Sequence, residues 1–147
     1  MQLDPAVLHL AVRWLHVTAM AVAFGGAVLV LLVAWSRVAA TVAPVALGYE
    51  WAFWGALGVL AMTGIGNLGA FGVTLPEPTT PWGQTLTVKL ATVLVLAFVS
   101  VPRTLAVVAL ATSAETAAST ARLRAIYAIT AAAFALIVVF AEMLAHR

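Results

Sequence analysis

This sequence has few charged residues and no cysteine. It contains no cysteine, and only seven basic and five acidic residues occur among its 147. Without cysteine there is no disulfide, no thiolate metal site and no cysteine-held iron–sulfur cluster. A soluble domain is about a quarter charged, whereas this chain is 8% charged and 65% hydrophobic. The composition therefore predicts an integral membrane protein, and seven basic residues give no indication of a nucleic-acid partner.

A long uncharged run dominates the first quarter of the chain. No Asp, Glu, Lys or Arg occurs from Trp14 to Ser36, and about 20 apolar residues are enough for a helix to cross the hydrocarbon core. His16 lies inside this run, and His9 and Arg13 precede it on the same predicted helix. At about 100° per residue these three positions share one stripe. Because polar groups are costly in lipid, the stripe should face other helices or the headgroup boundary.

Three further apolar stretches follow this run. We predict an all-α fold, an integral membrane four-helix bundle with up-down-up-down topology, as a single domain over residues 1–147. Pro44 and Gly48 mark the first connection, and the proline-rich residues 72–81 mark the second. The predicted helices span about residues 5–37, 45–71, 82–110 and 117–145.

Basic residues near the connections predict the orientation. The side that holds the first and third connections carries Arg37, Arg103, Arg122 and Arg124. Pro102 and Arg103 are interpreted as a kink in the third helix or as its exit from lipid. The positive-inside rule then places both connections in the cytoplasm. Both termini should lie outside, in a bacterial or archaeal plasma membrane.

When the four predicted spans are aligned by their depth in the membrane, most polar residues fall near one end. The outer third holds His9, Arg13, His16, Asn67, Lys89, Glu142 and His146. The cytoplasmic half is predicted to be almost wholly apolar. Several of these side chains could simply be solvated or reach the headgroups. His16 is the strongest candidate, because an ionisable residue flanked by apolar ones inside a span is a functional candidate by default.

The polar residues of the outer third could form a haem b site. Neutral imidazole from His16 would be one axial ligand. No second histidine lies at the same depth on a facing helix, so Met62 is the proposed second ligand, or the iron has a single protein ligand. Arg13 and Lys89 would pair with the haem propionates. Asn67 joins this candidate site because it lies at the same depth.

The same residues could instead bind copper. A third interpretation is that the helices only pack closely and hold no cofactor. Imidazole and thioether ligands suit Cu(I), so His9, His16 and His146 with Met143 could collect copper at the outer face. The second predicted helix is rich in glycine, and small residues let helices approach closely in lipid. On that interpretation the protein is a cofactor-free accessory subunit whose small-residue faces pack against partners.

Several short motifs resemble the CopD copper-resistance domain. WLH at residues 14–16 and FGG at 24–26 resemble its first helix. LAMTG at 60–64, followed by NL at 67–68, is similar to its second helix, which carries a Ser/Thr-Gly pair. The closest match is TPWGQTLTVKL at 80–90, since the family typically shows Thr-Pro-aromatic-Gly and then a leucine-rich run ending in Lys-Leu. The fourth predicted helix matches only by hydropathy.

The resemblance implies a function as well as a fold. CopD domains are four-helix membrane bundles linked to copper uptake or resistance. They resemble HemJ, a membrane protein that binds haem b through a first-helix histidine and oxidises protoporphyrinogen; His16 and Lys89 are the matching positions here. We therefore expect a CopD-like haem b protein that transfers electrons within a larger membrane complex or homo-oligomer, surrounded by lipids. Because HemJ proteins carry more aromatic and basic residues around the site, protoporphyrinogen oxidation is the less favoured activity.

Overall fold

Four long helices make up the described part of the chain, as predicted. The computed structural model describes residues 4–36, 39–69, 77–112 and 117–146, with the side chains of 39–41, 67–69 and 117–118 excepted. The helices are α1 (Pro5–Trp35), α2 (Ala39–Gly69), α3 (Pro81–Ala111) and α4 (Ala117–Ala145). There is no strand within these ranges, so the fold is the predicted all-α four-helix bundle.

All four helices are long and apolar enough to cross a membrane. The candidate spans are Pro5–Trp35, Val42–Gly66, Pro81–Ala111 and Ser119–Ala145. Large apolar side chains such as Ile65, Phe98 and Ile129 face outward and are mostly exposed. In water such an exposed apolar surface would promote aggregation, whereas in a bilayer it contacts acyl chains. The protein is therefore an integral membrane protein in its architecture.

Adjacent helices run antiparallel, and α4 packs back against α1. The start of α3 meets the end of α4, where the Trp82 indole N–H donates to the Leu144 carbonyl at 3.4 Å. At the opposite end the Arg124 guanidinium on α4 donates to the Ala34 carbonyl of α1 at 3.0 Å. We call the first end the His16 end and the opposite end the Glu50 end, after the polar residue in each half that is discussed below.

A stripe of small residues holds α1 against its neighbours. Its buried members are Ala19, Ala23, Ala27, Val30 and Ala34. Their spacing of three and four residues places them on one helix face. In lipid, helices associate through close backbone packing, which small side chains permit. The Tyr49 hydroxyl of α2 crosses this interface and donates to the Ala23 carbonyl at 2.8 Å.

Two prolines lie inside helices: Pro44, where the sequence predicted a connection, and Pro102, where it predicted a kink or an exit from lipid. α2 begins at Ala39 rather than at residue 45, so Pro44 and Gly48 are helical. Pro44 is in the second turn of α2, where it removes the backbone hydrogen bond that its N–H would donate to residue 40. α3 continues past Pro102 to Ala111, because neighbouring groups in a bundle compensate for a proline within a span.

The connection predicted between α2 and α3 is described only in part. Residues 77–80 form turns, as predicted, and residues 72–76 lie outside the described ranges. The Thr80 hydroxyl accepts from the Gly83 N–H at 3.0 Å, and Pro81 occupies the first position of α3. An N-cap threonine followed by proline is a strong helix start, and it fixes where α3 enters the membrane.

Candidate functional site

His16 lies half-buried between α1 and α2 and is held by a hydroxyl. Its Nδ1 is 2.8 Å from the Thr63 Oγ1. That hydroxyl lies 2.6 Å from the Val59 carbonyl on its own helix and donates its one proton there. The Thr63 oxygen must then accept from His16, so Nδ1 carries the ring proton and Nε2 keeps a lone pair. The arrangement presents Nε2 as a ligand or proton acceptor.

Two glycines follow Thr63 where α2 packs against α1. A Cβ placed on Gly64 would sit 3.7 Å from the His16 Cε1, and one placed on Gly66 would sit 3.3 Å from a Val12 methyl. The contact at Gly66 is tighter than most side chains make, so the missing side chain brings the end of α2 against α1. Close packing alone accounts for Gly66, whereas the Thr63–Gly64 pair also shapes the surroundings of the imidazole.

Lys89, the predicted site residue on α3, is half-buried. Arg13 is exposed, one turn before His16 on α1. The side chain of Asn67 lies outside the described residues. Met62 is 77% exposed on the outward surface of α2, whereas the adjacent Thr63 faces α1, so the thioether is not presented to His16.

The three histidines of the copper hypothesis are not gathered at one point. His146 pairs with Glu142 one turn earlier on α4, with 3.2 Å between Nε2 and Oε2, and both side chains are largely exposed. His9 is exposed on the first turns of α1. Across residues 4–36, 39–69, 77–112 and 117–146, no group of three or more His, Asp or Glu side chains could hold a metal ion.

A second polar cluster lies buried at the Glu50 end and corrects the prediction that this half is almost wholly apolar. Glu50 of α2 is 2% exposed and Arg103 of α3 is 6% exposed, with 2.9 Å between their charged atoms. The Tyr127 hydroxyl of α4 donates to Glu50 Oε1 at 2.7 Å, and the Thr104 hydroxyl contacts Oε2. The carboxylate therefore links three helices.

Aromatic rings enclose the Arg103 guanidinium. Its central carbon lies 4.1 Å from the Phe53 ring centroid, 5.6 Å from that of Tyr49 and 5.9 Å from that of Tyr127. Ring faces attract a cation, and the carboxylate of Glu50 neutralises it. Arg103 Nε has no hydrogen-bond partner in the described part of the chain. The predicted role of Arg103 at an exit from lipid is wrong, because the side chain is in the bundle core.

One signal in the sequence could have revealed this second cluster. Glu50 falls inside the second predicted helix, and the rule that made His16 a candidate applies equally to a carboxylate within a span. Arg103 was obscured because it follows Pro102, which looked like a helix end. The partner of Glu50 is 53 residues away, and no local pattern indicates which cation it meets.

No protein-family model, curated protein or solved structure matches this chain. The resemblance to CopD and HemJ therefore stays a prediction that rests on the motifs themselves. The possible functions of the two clusters follow from the chemistry of their side chains. The His16 cluster offers an imidazole that is oriented by Thr63, and the Glu50 cluster is a neutralised ion pair that joins α2, α3 and α4.

Proposed function

We propose that the protein is a CopD-like haem b protein that transfers electrons in the membrane, with His16 as the axial ligand. The observation that supports this most is the hydrogen-bond chain from His16 Nδ1 through Thr63 to the Val59 carbonyl. Histidines that ligate metals usually donate their other ring N–H to such a partner, which fixes both tautomer and ring orientation. Here that partner leaves Nε2 with its lone pair available to iron.

The residues around His16 fit a haem with one protein ligand. Lys89 is a half-buried cation on α3, and an ammonium there suits a propionate. Arg13, exposed nearer the surface, is placed for the second propionate at the headgroup boundary. Met62 faces outward, so the proposal gives it no ligand role. When bound, haem b supplies one-electron transfer, which would operate within a larger membrane complex or homo-oligomer.

Copper handling is less well supported by the same contacts. A Cu(I) site needs several imidazole or thioether ligands together, and no such cluster forms among the described His, Asp and Glu residues. A single imidazole with an ordered Nδ1 partner matches haem ligation better. We retain the predicted orientation, with the His16 end outward, as part of the proposal.

Replacing His16 with alanine should remove most of the haem. Wild-type protein purified from haem-replete cells is expected to show a b-type absorbance spectrum, and His16→Ala should retain less than about a tenth of its haem per protein, because the only imidazole presented inside the bundle is lost. His146→Ala is the matched control, since that exposed histidine pairs with Glu142 at the surface. Equal haem content in His16→Ala and wild type would contradict the assignment.

Removing the hydroxyl that orients His16 should weaken haem binding without abolishing it. Thr63→Val keeps the shape of the side chain but leaves the Nδ1–H without an acceptor, and losing such an outer partner typically costs about 10–100-fold in metal affinity. Haem titration of the stripped protein measures this change. Thr87→Val is the control, because that hydroxyl donates only to the Gly83 carbonyl of its own helix, at 2.8 Å. Matching affinities in the two variants would remove Thr63 from the site.

A further inference from the structure

Gly64 lies beside His16, and the described residues give no packing reason for a glycine there. A Cβ at this position would sit 3.7 Å from the His16 Cε1, an ordinary van der Waals contact, and would meet no other described atom within 4 Å outside its own stretch of helix. Gly26 differs, because a Cβ there would sit 2.5 Å from the buried Tyr49 ring. Since glycine destabilises a helix interior relative to alanine, Gly64 indicates that space beside the imidazole is kept open.

The register of α2 against α3 follows from their buried ion pair. Glu50 lies 2.9 Å from Arg103 across these two antiparallel helices. A step of seven residues is two helical turns and stays on one helix face. One such step along each helix, away from the ion pair and toward the His16 end, leads to Leu57 and Leu96, and both pack in the hydrophobic core. The ion pair and the two leucines therefore mark facing positions on α2 and α3.

A second step of seven residues brings Gly64 of α2 opposite Lys89 of α3. Lys89 is half-buried, as a side chain on this inner face should be. Because Gly64 has no side chain, it leaves the gap in front of Lys89 unfilled at its own position. The space beside the His16 imidazole is therefore bounded by the α2 backbone on one side and by α3 on the other.

The imidazole turns its free nitrogen into this space. Nδ1 of His16 lies 2.8 Å from the Thr63 hydroxyl, and Cε1 is the atom that a Cβ on Gly64 would meet. Cε1 is bonded to both ring nitrogens, so Nε2 follows it around the ring on the side away from Thr63. A side chain longer than a methyl group at position 64 would extend past Cε1 and cover Nε2.

We propose that Gly64 determines what His16 can bind: its missing side chain opens Nε2 to a flat macrocycle such as a porphyrin, which lies between α2 and α3 opposite Lys89. The inference rests on the proposed haem function, which makes a porphyrin the occupant of this space. It adds a specificity-determining residue to the site and places the ligand on the α3 side of His16.

Leucine and alanine substitutions at position 64 test this proposal by haem titration of the stripped full-length protein. Gly64→Leu should weaken haem binding at least about tenfold. Gly64→Ala should stay within about threefold of wild type, because its methyl group makes only an ordinary contact. Gly58→Leu is the matched control and should bind like wild type, since Gly58 is exposed on the same helix and a Cβ there would meet nothing within 4 Å.

Unfolding of the apoprotein separates a ligand role from a packing role. If the space is open, Gly64→Leu without haem should unfold at the same dodecyl sulfate fraction as Gly58→Leu. If protein atoms fill the space, the added side chain overpacks it, and Gly64→Leu should unfold at a lower fraction.

A disulfide test checks the register without haem. The sequence has no cysteine, so Gly64→Cys combined with Lys89→Cys should form a disulfide on oxidation, whereas Gly58→Cys with Lys89→Cys should not. A wild type that binds no haem would overturn the proposed function and this inference together. If the wild type binds haem, this inference alone is overturned by equal affinities of Gly64→Leu and Gly58→Leu, by easier unfolding of the Gly64→Leu apoprotein, or by the absence of the Gly64→Cys disulfide.

Discussion

Replacing Glu50 with alanine is expected to destabilise the bundle by about 3–5 kcal/mol, the usual cost of leaving a buried charge without its partner. Arg103 would keep ring faces and a long contact from Nη1 to the Thr130 hydroxyl at 3.5 Å. The Tyr127 hydroxyl would lose its short bond to the carboxylate and keep the longer one to the Ala46 carbonyl, at 3.4 Å. Unfolding of the purified protein in mixed micelles of increasing dodecyl sulfate content, followed by circular dichroism, measures this free energy.

A double variant and an exposed pair serve as controls for that experiment. Glu50→Leu combined with Arg103→Met removes both charges, and should recover most of the lost stability because an apolar pair no longer has to be desolvated as ions. Glu142→Ala breaks a solvent-facing pair with His146 and should change the free energy of unfolding by about 0–1 kcal/mol. If Glu50→Ala were as mild as Glu142→Ala, the buried pair would not hold the helices together.

Adding one methyl group at Gly26 is expected to cost about 1–3 kcal/mol through overpacking. A Cβ there would sit 2.5 and 2.7 Å from two ring carbons of Tyr49, closer than carbon atoms can approach. The ring is buried and its hydroxyl is bound to the Ala23 carbonyl at 2.8 Å, so it cannot move without losing that hydrogen bond. The same micellar unfolding experiment measures the loss.

The preceding glycine supplies the matched control. A Cβ on Gly25 would meet nothing within 4 Å, and replacing glycine by alanine inside a helix usually adds about 0.5–1 kcal/mol of stability. Gly25→Ala should therefore be neutral or stabilising while Gly26→Ala is destabilising. If both variants behaved alike, the α1–α2 interface would not be packed as tightly as the contact between Gly26 and Tyr49 indicates.

The four helices were predictable because each is a long apolar run. A strong hydropathy signal fixes the number of spans and hence the fold, and α4 was predicted at residues 117–145, the bounds that the structure has. The start of α2 was not predictable in the same way, because proline disfavours a helix interior in water and the sequence placed a connection at Pro44. Whether a bundle compensates for a proline depends on neighbours distant in the sequence.

The Glu50–Arg103 pair shows why buried polar contacts between helices are hard to predict from the sequence. Each residue alone could face lipid headgroups or a connection, and only the packing of α2 against α3 brings them to 2.9 Å. Their pairing also changes the orientation argument, because Arg103 no longer counts as a residue of a connection. The predicted inward side then rests on Arg122, Arg124 and Arg37, the last outside the described residues, and the orientation stays a prediction.

His16 stands out in the sequence, whereas its hydrogen-bond partner does not. An ionisable side chain within an apolar run is a candidate by default, and the structure places His16 against Thr63 of α2; its role as a ligand stays a prediction. Its partner Thr63 was noted only through the motif LAMTG. The hydrogen bond spans 47 residues, so the tautomer of His16 could be inferred only after the two helices were placed together.

Chemical rescue at position 16 tests the central claim most directly. His16→Gly leaves a space the size of an imidazole beside Thr63, and the protein would be purified with and without free imidazole and its reduced-minus-oxidised absorbance recorded. We expect b-type bands from the wild type, almost none from His16→Gly alone, and their return with imidazole. A colourless wild type, or bands in His16→Gly that are the same with and without imidazole, would contradict ligation by His16.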